Sequence, residues 1–305
     1  MLAANRASTM KLPQMLGKQT PASVARPTDD ELDFFGITHP GKVRTENQDH
    51  FMLATIHPEV VVRNTSLPIA QSQLRGSRFG TFAVVADGVG GAAAGSDAAR
   101  LAAETVTRYV SESVRALHMF ARKEPDDLHI ALTEAAMQAH DAVRAEAASR
   151  PDQKRMATTL TLMVAAWPWM NVVQVGDSRC YVLQDGKLRL VTRDQTVAQM
   201  LVDEGSMKAS QLTTSPLHNV LASAIGSDEA TPVVTRVDVT NRSTCILLCS
   251  DGLTKHVKDD EIERYLKGMK SSEQVCNDLL QLALDRGGTD NVTILVLRSP
   301  PKSRS

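Results

Sequence analysis

Three apolar runs in this chain have the length of a β-strand, and each meets an aspartate at one of its ends. Asp87 and Asp251 each follow such a run, and Asp290 precedes another. Continuous apolar runs of this length are typical of strands that are buried on both faces. Such strands need further layers of structure on either side, which restricts the chain to a layered fold. The three runs are Thr81–Ala86, Cys245–Ser250 and Val292–Leu297.

The order of the predicted elements favours a fold of the α+β class. Strands occur in series and helices in pairs, which indicates two packed antiparallel sheets covered by helices and not alternating βαβ units. Besides the three runs, the predicted strands are 33–38, 50–56, 158–166, 171–175, 179–184, 188–192 and 233–239. The predicted helices are 96–111, 126–148, 195–204, 259–267 and 271–285. The first of these helices has its predicted N-cap at Ser96 or Asp97.

The length of the chain is compatible with one large domain. Its 305 residues divide into a predicted disordered basic tail, 1–30, a single domain, 31–300, and a short tail, 301–305. The first 28 residues carry four basic side chains and no acidic one. A targeting segment is therefore the alternative interpretation of this tail, because transit peptides are basic and poor in acids.

Charge, hydropathy and cysteine usage exclude several classes of function. Lys and Arg number 34 against 35 Asp and Glu, so the net charge implies no nucleic-acid partner. No stretch reaches the roughly 18 consecutive apolar residues that suggest a membrane span. The four cysteines have neither zinc-site nor disulfide spacing, which indicates buried thiols in a reducing cytoplasm.

A fourth aspartate, Asp49, extends the set at the predicted strand ends. The four are separated by 38, 164 and 39 residues, so only the tertiary fold can bring them together. Gathered carboxylates repel one another and raise each other's pKa unless a cation neutralises them. Oxygen ligands of this kind select Mg²⁺ or Mn²⁺. The alternative for each is an ordinary turn residue, as in the predicted type I′ hairpin at Asp185-Gly186.

A second motif overlaps Asp87. The glycines and alanines that follow it match G-x-G-x-x-A, the pattern of a dinucleotide-binding turn. That turn needs a second strand ending in an acidic residue about 20 positions further on. Here the chain continues as the predicted helix 96–111, and Asp87 would repel a pyrophosphate. Nicotinamide or flavin binding is therefore not expected.

Six segments together resemble the metal-dependent Ser/Thr protein phosphatases of type 2C, in the bacterial branch of that family. They are Arg44–Asp49, Ala86–Gly91, Ala157–Thr161, Val175–Arg179, Cys249–Leu253 and Gly288–Thr293, and they cover residues 33–298 in the order of the family. The resemblance implies a central β-sandwich of two antiparallel sheets flanked on both sides by helix pairs, a four-layer αββα arrangement. It also implies a flap subdomain at Ser206–Ser227.

The resemblance further implies a metal centre. Asp87 corresponds to the carboxylate that bridges two Mn²⁺ or Mg²⁺ ions, and the Gly88 carbonyl binds one of them. Asp251 and Asp290 correspond to terminal ligands of the other ion. Asp177 corresponds to the ligand of a third, weaker ion, with a turn-capping aspartate as the alternative. Two ions of this kind lower the pKa of a shared water and neutralise phosphoryl oxygens.

Roles beyond direct metal binding follow from the same resemblance. Asp49 corresponds to a residue that holds metal-bound waters, and Arg44 to one that grips the phosphate with two hydrogen bonds. A surface salt bridge from Arg44 to Glu46 is the alternative. Gln48 replaces a glutamate ligand of many relatives, which removes one negative charge. Val89 replaces a histidine of eukaryotic members, which removes a candidate general acid.

The activity implied is hydrolysis of phosphoserine and phosphothreonine in proteins, opposing a bacterial Ser/Thr kinase. The protein is expected to be a cytoplasmic monomer. The alternative is a catalytically weak binding or regulatory protein that uses the phosphatase fold. Loss of a metal-binding aspartate would indicate this alternative, and none is lost.

Overall fold

Two antiparallel β-sheets form the centre of the protein, seen in a computed structural model that describes residues 25–59, 62, 66, 75–113, 125–150 and 156–299. The first sheet has the strand order β1-β11-β10-β7-β8 and the second has β2-β3-β5-β6-β9, with β4 alongside β3. The strands are β1 Asp33–His39, β2 Asp49–Ile56, β3 Gly80–Val89, β4 Ala157–Thr158, β5 Leu160–Ala166, β6 Trp169–Val175, β7 Arg179–Gln184, β8 Lys187–Leu190, β9 Val233–Asp238, β10 Cys245–Cys249 and β11 Val292–Arg298.

Helices cover the outer face of each sheet, which confirms the predicted α+β sandwich. The helices are α1 Ala92–Glu112, α2 Pro125–Ser149, α3 Val197–Asp203, α4 Asp251–Thr254, α5 Asp259–Gly268 and α6 Ser272–Asp285. Helices α1 and α2 pack together on the second sheet, and α5 and α6 pack together on the first. Helix α3 belongs to the irregular segment between β8 and β9, where the flap was predicted.

The central strands are apolar throughout because both of their faces are buried. In β3, Val84 packs against the helices of the second sheet, whereas Ala83 and Val85 face the first sheet. All three side chains are fully buried. Full burial of a valine side chain contributes about 1.5–3 kcal/mol. The neighbours of β3 on both sides run antiparallel to it, so the parallel unit needed by a dinucleotide-binding turn does not form.

Most predicted elements are found within two residues of their expected ends, and α1 is the main exception. It starts at Ala92, four residues before the predicted start, and Gly91 with φ +107° is its N-cap. The predicted caps have other partners: Ser96 bonds His50, and Asp97 pairs with Arg150. The short helix α4 was not predicted. The hairpin at Asp185-Gly186 is confirmed by φ angles of 50° and 72°.

The described part of the predicted tail lies against the domain, beside the start of β3. Arg78 donates from Nη2 to the Pro27 carbonyl at 2.6 Å and from Nε to Asp29 at 2.8 Å. Glu31 pairs with Arg242.

Residues 1–24, most of 60–74 and 300–305 lie outside the described residues. In the part of the chain that is described, no helix is long and apolar enough to cross a bilayer.

Candidate active site

The predicted site residues meet at one end of the sandwich. Arg44, Asp87, Gly88, Asp177, Asp251 and Asp290 all line a single open cavity of about 930 Å³, together with Gln48 and Val89. Five flap residues close one side of this cavity: Asn219, Val220, Leu221, Ala224 and Ser227. The fold therefore gathers carboxylates that are up to 203 residues apart in the sequence, from Asp87 to Asp290.

Asp87 is held near the end of β3 by Thr158 at the end of β4 and by Thr159 directly after it. Its backbone N–H donates to Thr159 Oγ1 at 3.0 Å, and its carbonyl accepts from Thr158 Oγ1 at 2.9 Å. Thr159 Oγ1 also bonds Ser178 Oγ at 2.8 Å, next to Asp177. These hydroxyls fix the backbone of Asp87 and tie it to the turn that carries Asp177.

Gly88 is required where β3 ends against the start of α1. A Cβ at this position would overlap the Gly95 carbonyl oxygen and would also crowd the Gln48 carbonyl. A side chain here would therefore push the helix away from the strand. The absence of a side chain leaves the Gly88 backbone at the wall of the cavity.

Asp49 lies below the cavity and is only 3% exposed. It faces Asp87 across the β2–β3 pair, and its Oδ2 accepts from Ser250 Oγ and Thr293 Oγ1, both at 2.7 Å. Burial raises the pKa of Asp49 to about 6, although these two hydrogen bonds lower it. Its Oδ1 is buried and accepts no hydrogen bond from the described residues.

Asn291 joins the two loops that carry Arg44 and Asp290. Its Oδ1 accepts from the Gln48 N–H at 2.8 Å, and its Nδ2 donates to the carbonyls of Pro40 and Glu46 at 2.9 Å. This explains why an asparagine follows Asp290: a single amide side chain fastens a loop that is more than 240 residues away in the sequence. The predicted loop 44–49 thus reaches the cavity.

Arg44 forms a two-point contact with Asp290. Its Nε donates to Oδ1 at 2.8 Å and its Nη2 donates to Oδ2 at 3.1 Å. Glu46, the alternative partner considered from the sequence, is not the residue that Arg44 contacts. The Arg44 side chain remains 56% exposed and lines the cavity. The structure shows directly that this fork can hold a planar oxyanion.

The sequence did not predict a role for Lys255, which contacts two of the aspartates. Its Nζ lies 2.6 Å from Asp251 Oδ2 and 2.7 Å from Asp290 Oδ2. The available signal was the spacing of four residues between Asp251 and Lys255, which forms a pair only if the intervening residues are helical. Because α4 was not predicted, the spacing carried no weight.

The electrostatics of the cavity are those of crowded, buried carboxylates. Burial raises the pKa of Asp87 well above its ordinary value, and the charges of Asp49 and Asp251 raise it further. Burial, reinforced by Asp251, raises the pKa of Asp177 to about 8. Burial also raises the pKa of Asp251. For Asp290, burial is outweighed by hydrogen bonds from Arg44 and Lys255, which hold its pKa below the ordinary range.

The donor set of the cavity suits hard divalent cations. Its potential ligands are carboxylate and carbonyl oxygens, and Asp251 Oδ1 is buried with no hydrogen-bond partner among the described residues. Across the described ranges, no three His, Cys, Asp or Glu side chains converge closely enough to enclose an ion. Two of the carboxylates are instead contacted by basic side chains, Arg44 and Lys255.

Several known proteins are similar to this chain in sequence and in fold. The family model described as Protein phosphatase 2C matches residues 71–285, more than half of the chain. The serine/threonine protein phosphatase PstP of Mycobacterium tuberculosis is 35% identical over 213 residues, which are 70% of this chain but only 39% of PstP. The serine/threonine phosphatase stp of Listeria monocytogenes is 30% identical over 70% of this chain and 82% of its own length.

A solved structure extends this similarity to the three-dimensional fold. The catalytic domain of PstP, in complex with two manganese ions, has a TM-score of 0.65 and 30% identity, covering 88% of this chain and 97% of that domain. The segment that matches the family model contains four of the six motifs: Ala86–Gly91, Ala157–Thr161, Val175–Arg179 and Cys249–Leu253. The chain belongs to the protein phosphatase 2C family.

Proposed function

We propose that this protein is a metal-dependent phosphoprotein phosphatase that hydrolyses phosphoserine and phosphothreonine. The observation that carries the proposal is the convergence of Asp87, Asp177, Asp251 and Asp290 with Arg44 on one open cavity. Its relatives support the same activity, since they are named serine/threonine phosphatases. The manganese in the PstP structure supports the proposed metal dependence.

Four groups are proposed to hold two Mn²⁺ or Mg²⁺ ions. Asp87 and the Gly88 carbonyl would bind at the end of β3, and Asp251 and Asp290 would bind at the ends of β10 and β11. Asp177 would hold a third, weaker ion. When bound, ions at such a site supply the charge that activates a water molecule and offsets the negative phosphoryl oxygens.

The residues of the chain have three further tasks in this proposal. Arg44 binds the phosphate of the substrate through its two N–H groups, and it exchanges the Asp290 carboxylate for phosphoryl oxygens to do so. Asp49, buried behind Asp87, orients water at the centre through its free oxygen. Val89 is 40% exposed at the cavity and has no ionisable group, so a proton for the leaving oxygen comes from water.

The proposed substrates are phosphorylated serine and threonine side chains of other proteins. The cavity is open and the flap stands beside it, so a phosphorylated side chain on an extended peptide can enter. A cytoplasmic monomer that reverses the action of a bacterial Ser/Thr kinase is the corresponding biological proposal. The catalytically weak alternative is not favoured, because every proposed metal-binding aspartate is retained at the cavity.

A phosphatase assay with controlled metal content tests this function. The protein is stripped with a chelator, dialysed, and assayed on a phosphothreonine peptide with and without Mn²⁺. We expect turnover only after Mn²⁺ or Mg²⁺ is restored, because several buried carboxylates need cations to remain ionised together. Full turnover by exhaustively chelated protein would contradict the two-metal proposal, and no turnover under any metal condition would support the binding-protein alternative.

A further inference from the structure

Lys255 connects two aspartates that the proposed function assigns to metal binding. Its ammonium nitrogen lies 2.6 Å from Asp251 Oδ2 and 2.7 Å from Asp290 Oδ2. The Lys255 side chain is only 24% exposed, and it lines the same cavity as both carboxylates. Arg44 differs, because it contacts Asp290 alone and is 56% exposed.

The backbone of Lys255 is held by a closely packed part of the fold. The Lys255 N–H donates to the Asp251 carbonyl at 2.8 Å, so α4 sets the direction of its side chain. Leu253 in this helix is completely buried, and a Cβ at Gly252 would overlap the Asn291 carbonyl oxygen. Helix α4 is therefore packed against the loop that carries Asp290, which places the start of the Lys255 side chain beside the two carboxylates and leaves its flexible end able to move.

We propose that Lys255 is an internal cation that competes with divalent ions for Asp251 and Asp290. The inference rests on the proposed function, since it concerns the same metal centre. Without metal, the ammonium neutralises the two carboxylates and stabilises the fold. A divalent ion that binds the same oxygens comes within a few ångströms of the ammonium, so repulsion must push the lysine aside. Metal binding is thus an exchange of one cation for another.

This exchange has two consequences of opposite sign. Because the ammonium must be displaced, Lys255 lowers the affinity of the centre for metal. Because the same ammonium offsets buried negative charge, it raises the stability of the metal-free protein. A lysine that merely formed a surface ion pair would have little of either effect.

The chain supplies a matched control for this test. Lys267 forms an ion pair with Glu263 at the same spacing of four residues, but on α5. Its side chain is 45% exposed and is not part of the cavity. Lys267→Met therefore removes a helical lysine–carboxylate pair without touching the proposed centre. Lys255→Arg is the second control, because it keeps a positive charge at the cavity.

The experiment compares the full-length protein with Lys255→Met, Lys255→Arg and Lys267→Met. Calorimetric titration with Mn²⁺ measures metal affinity, and thermal unfolding is recorded in EDTA and in saturating Mn²⁺. We expect Lys255→Met to bind Mn²⁺ about tenfold more tightly than wild type. In EDTA its Tm should fall by about 2–4 °C, and in Mn²⁺ its Tm should equal or exceed that of wild type. Lys255→Arg and Lys267→Met should stay close to wild type.

Other results would contradict the role proposed for Lys255 or the metal centre itself. If Lys255→Met matches Lys267→Met in affinity and in both melting temperatures, Lys255 is not an internal cation. If Lys255→Met binds Mn²⁺ more weakly, the lysine assists the metal and competition is wrong. If wild type itself binds no Mn²⁺, the proposed metal centre fails. If the Tm of Lys255→Met in EDTA equals that of wild type, Lys255 does not stabilise the metal-free protein.

Discussion

The two ends of the sandwich differ in how their acidic side chains are paired with basic ones. At the cavity end, four aspartates line the cavity with two basic side chains, Arg44 and Lys255, which pair with Asp251 and Asp290. At the other end, where β1 and β10 begin and β11 ends, three acids each pair with an arginine. These pairs are Asp29 with Arg78, Glu31 with Arg242 and Asp33 with Arg298.

Asp33 illustrates the end with acid–arginine pairs. Its carboxylate accepts from Arg298 Nε at 2.7 Å and from the Ser272 N–H at 3.0 Å, so it fastens β1 to β11 and to the start of α6. Asp49 and Asp251 illustrate the other end, since each has a buried oxygen without a partner among the residues described. One scaffold thus has an end organised for stability and an end where buried carboxylates outnumber the basic side chains beside them.

The largest expected contrast is in catalysis. Asp87→Asn and Asp251→Asn should each lower kcat on a phosphothreonine peptide by at least about a hundredfold, because each removes a ligand of the proposed ions. Asp33→Asn, at the opposite end, should keep kcat within about twofold. Circular dichroism verifies that all three proteins are folded. Wild-type turnover in either cavity variant would remove that residue from the centre.

Substitutions of Arg44 should affect the binding of substrate much more than the binding of metal. Arg44→Ala should raise KM for the phosphopeptide by about tenfold to a hundredfold, since two charge-assisted hydrogen bonds to phosphate are lost. Its Mn²⁺ affinity, measured by calorimetry, should change much less. Arg44→Lys keeps the charge but not the fork, and it should recover only part of the loss. An unchanged KM in Arg44→Ala would mean that Arg44 only neutralises Asp290.

The pH dependence of stability should differ between wild type and Asp49→Asn. The pKa of Asp49 is about 6 in the fold against an ordinary 3.8, so the folded protein holds a proton that the unfolded chain has released. Ionisation of Asp49 therefore destabilises the metal-free fold as pH rises from about 4 to about 6, by at most about 3 kcal/mol.

The asparagine side chain in Asp49→Asn cannot ionise. In EDTA, the Tm of this variant relative to that of wild type should therefore increase as pH rises through this window. Differential scanning calorimetry at pH 4.5, 5.5 and 7 measures the gain. The curves of the two proteins should then run parallel above about pH 7. A difference in Tm that is the same at all three pH values would show that Asp49 is ionised throughout.

The smallest expected effect is on stability, at the end of the sandwich with the acid–arginine pairs. Asp33→Ala should lower the free energy of unfolding by about 2 kcal/mol, because the Ser272 N–H loses its acceptor and Arg298 Nε loses its carboxylate partner. For a domain of this size that corresponds to a loss of about 4–8 °C in Tm. Chemical denaturation gives the value directly. A more stable Asp33→Ala protein would contradict the assignment of this end to stability.

Local sequence patterns predicted the scaffold well, for a physical reason. Strands such as Thr81–Ala86 are apolar on both faces because they lie in the middle layers, and continuous apolar runs report such burial directly. The start of α1 was less predictable. Its first turn has no capping side chain and begins on the unusual backbone of Gly91, so the usual Ser or Asp signal pointed four residues too far along.

Patterns also predicted which aspartates gather, but not what contacts them. The proximity of Arg44 to Asp290 depends on two loops 246 residues apart, which Asn291 joins. The role of Lys255 depends on α4, a helix of four residues that is too short to produce a periodic signal. Contacts of this kind arise from tertiary geometry, and a single sequence does not encode them in any local form.

The proposed function depends on a divalent metal centre at the cavity end of the sandwich. A crystal grown with Mn²⁺ and measured at a wavelength where manganese scatters anomalously would locate the ions. We expect at least two anomalous peaks in the cavity, bound by Asp87, Asp251 and Asp290, with Lys255 Nζ displaced from Asp251 Oδ2. Full occupancy of Lys255 between the two carboxylates at saturating Mn²⁺, with no peak beside Asp87, would contradict it.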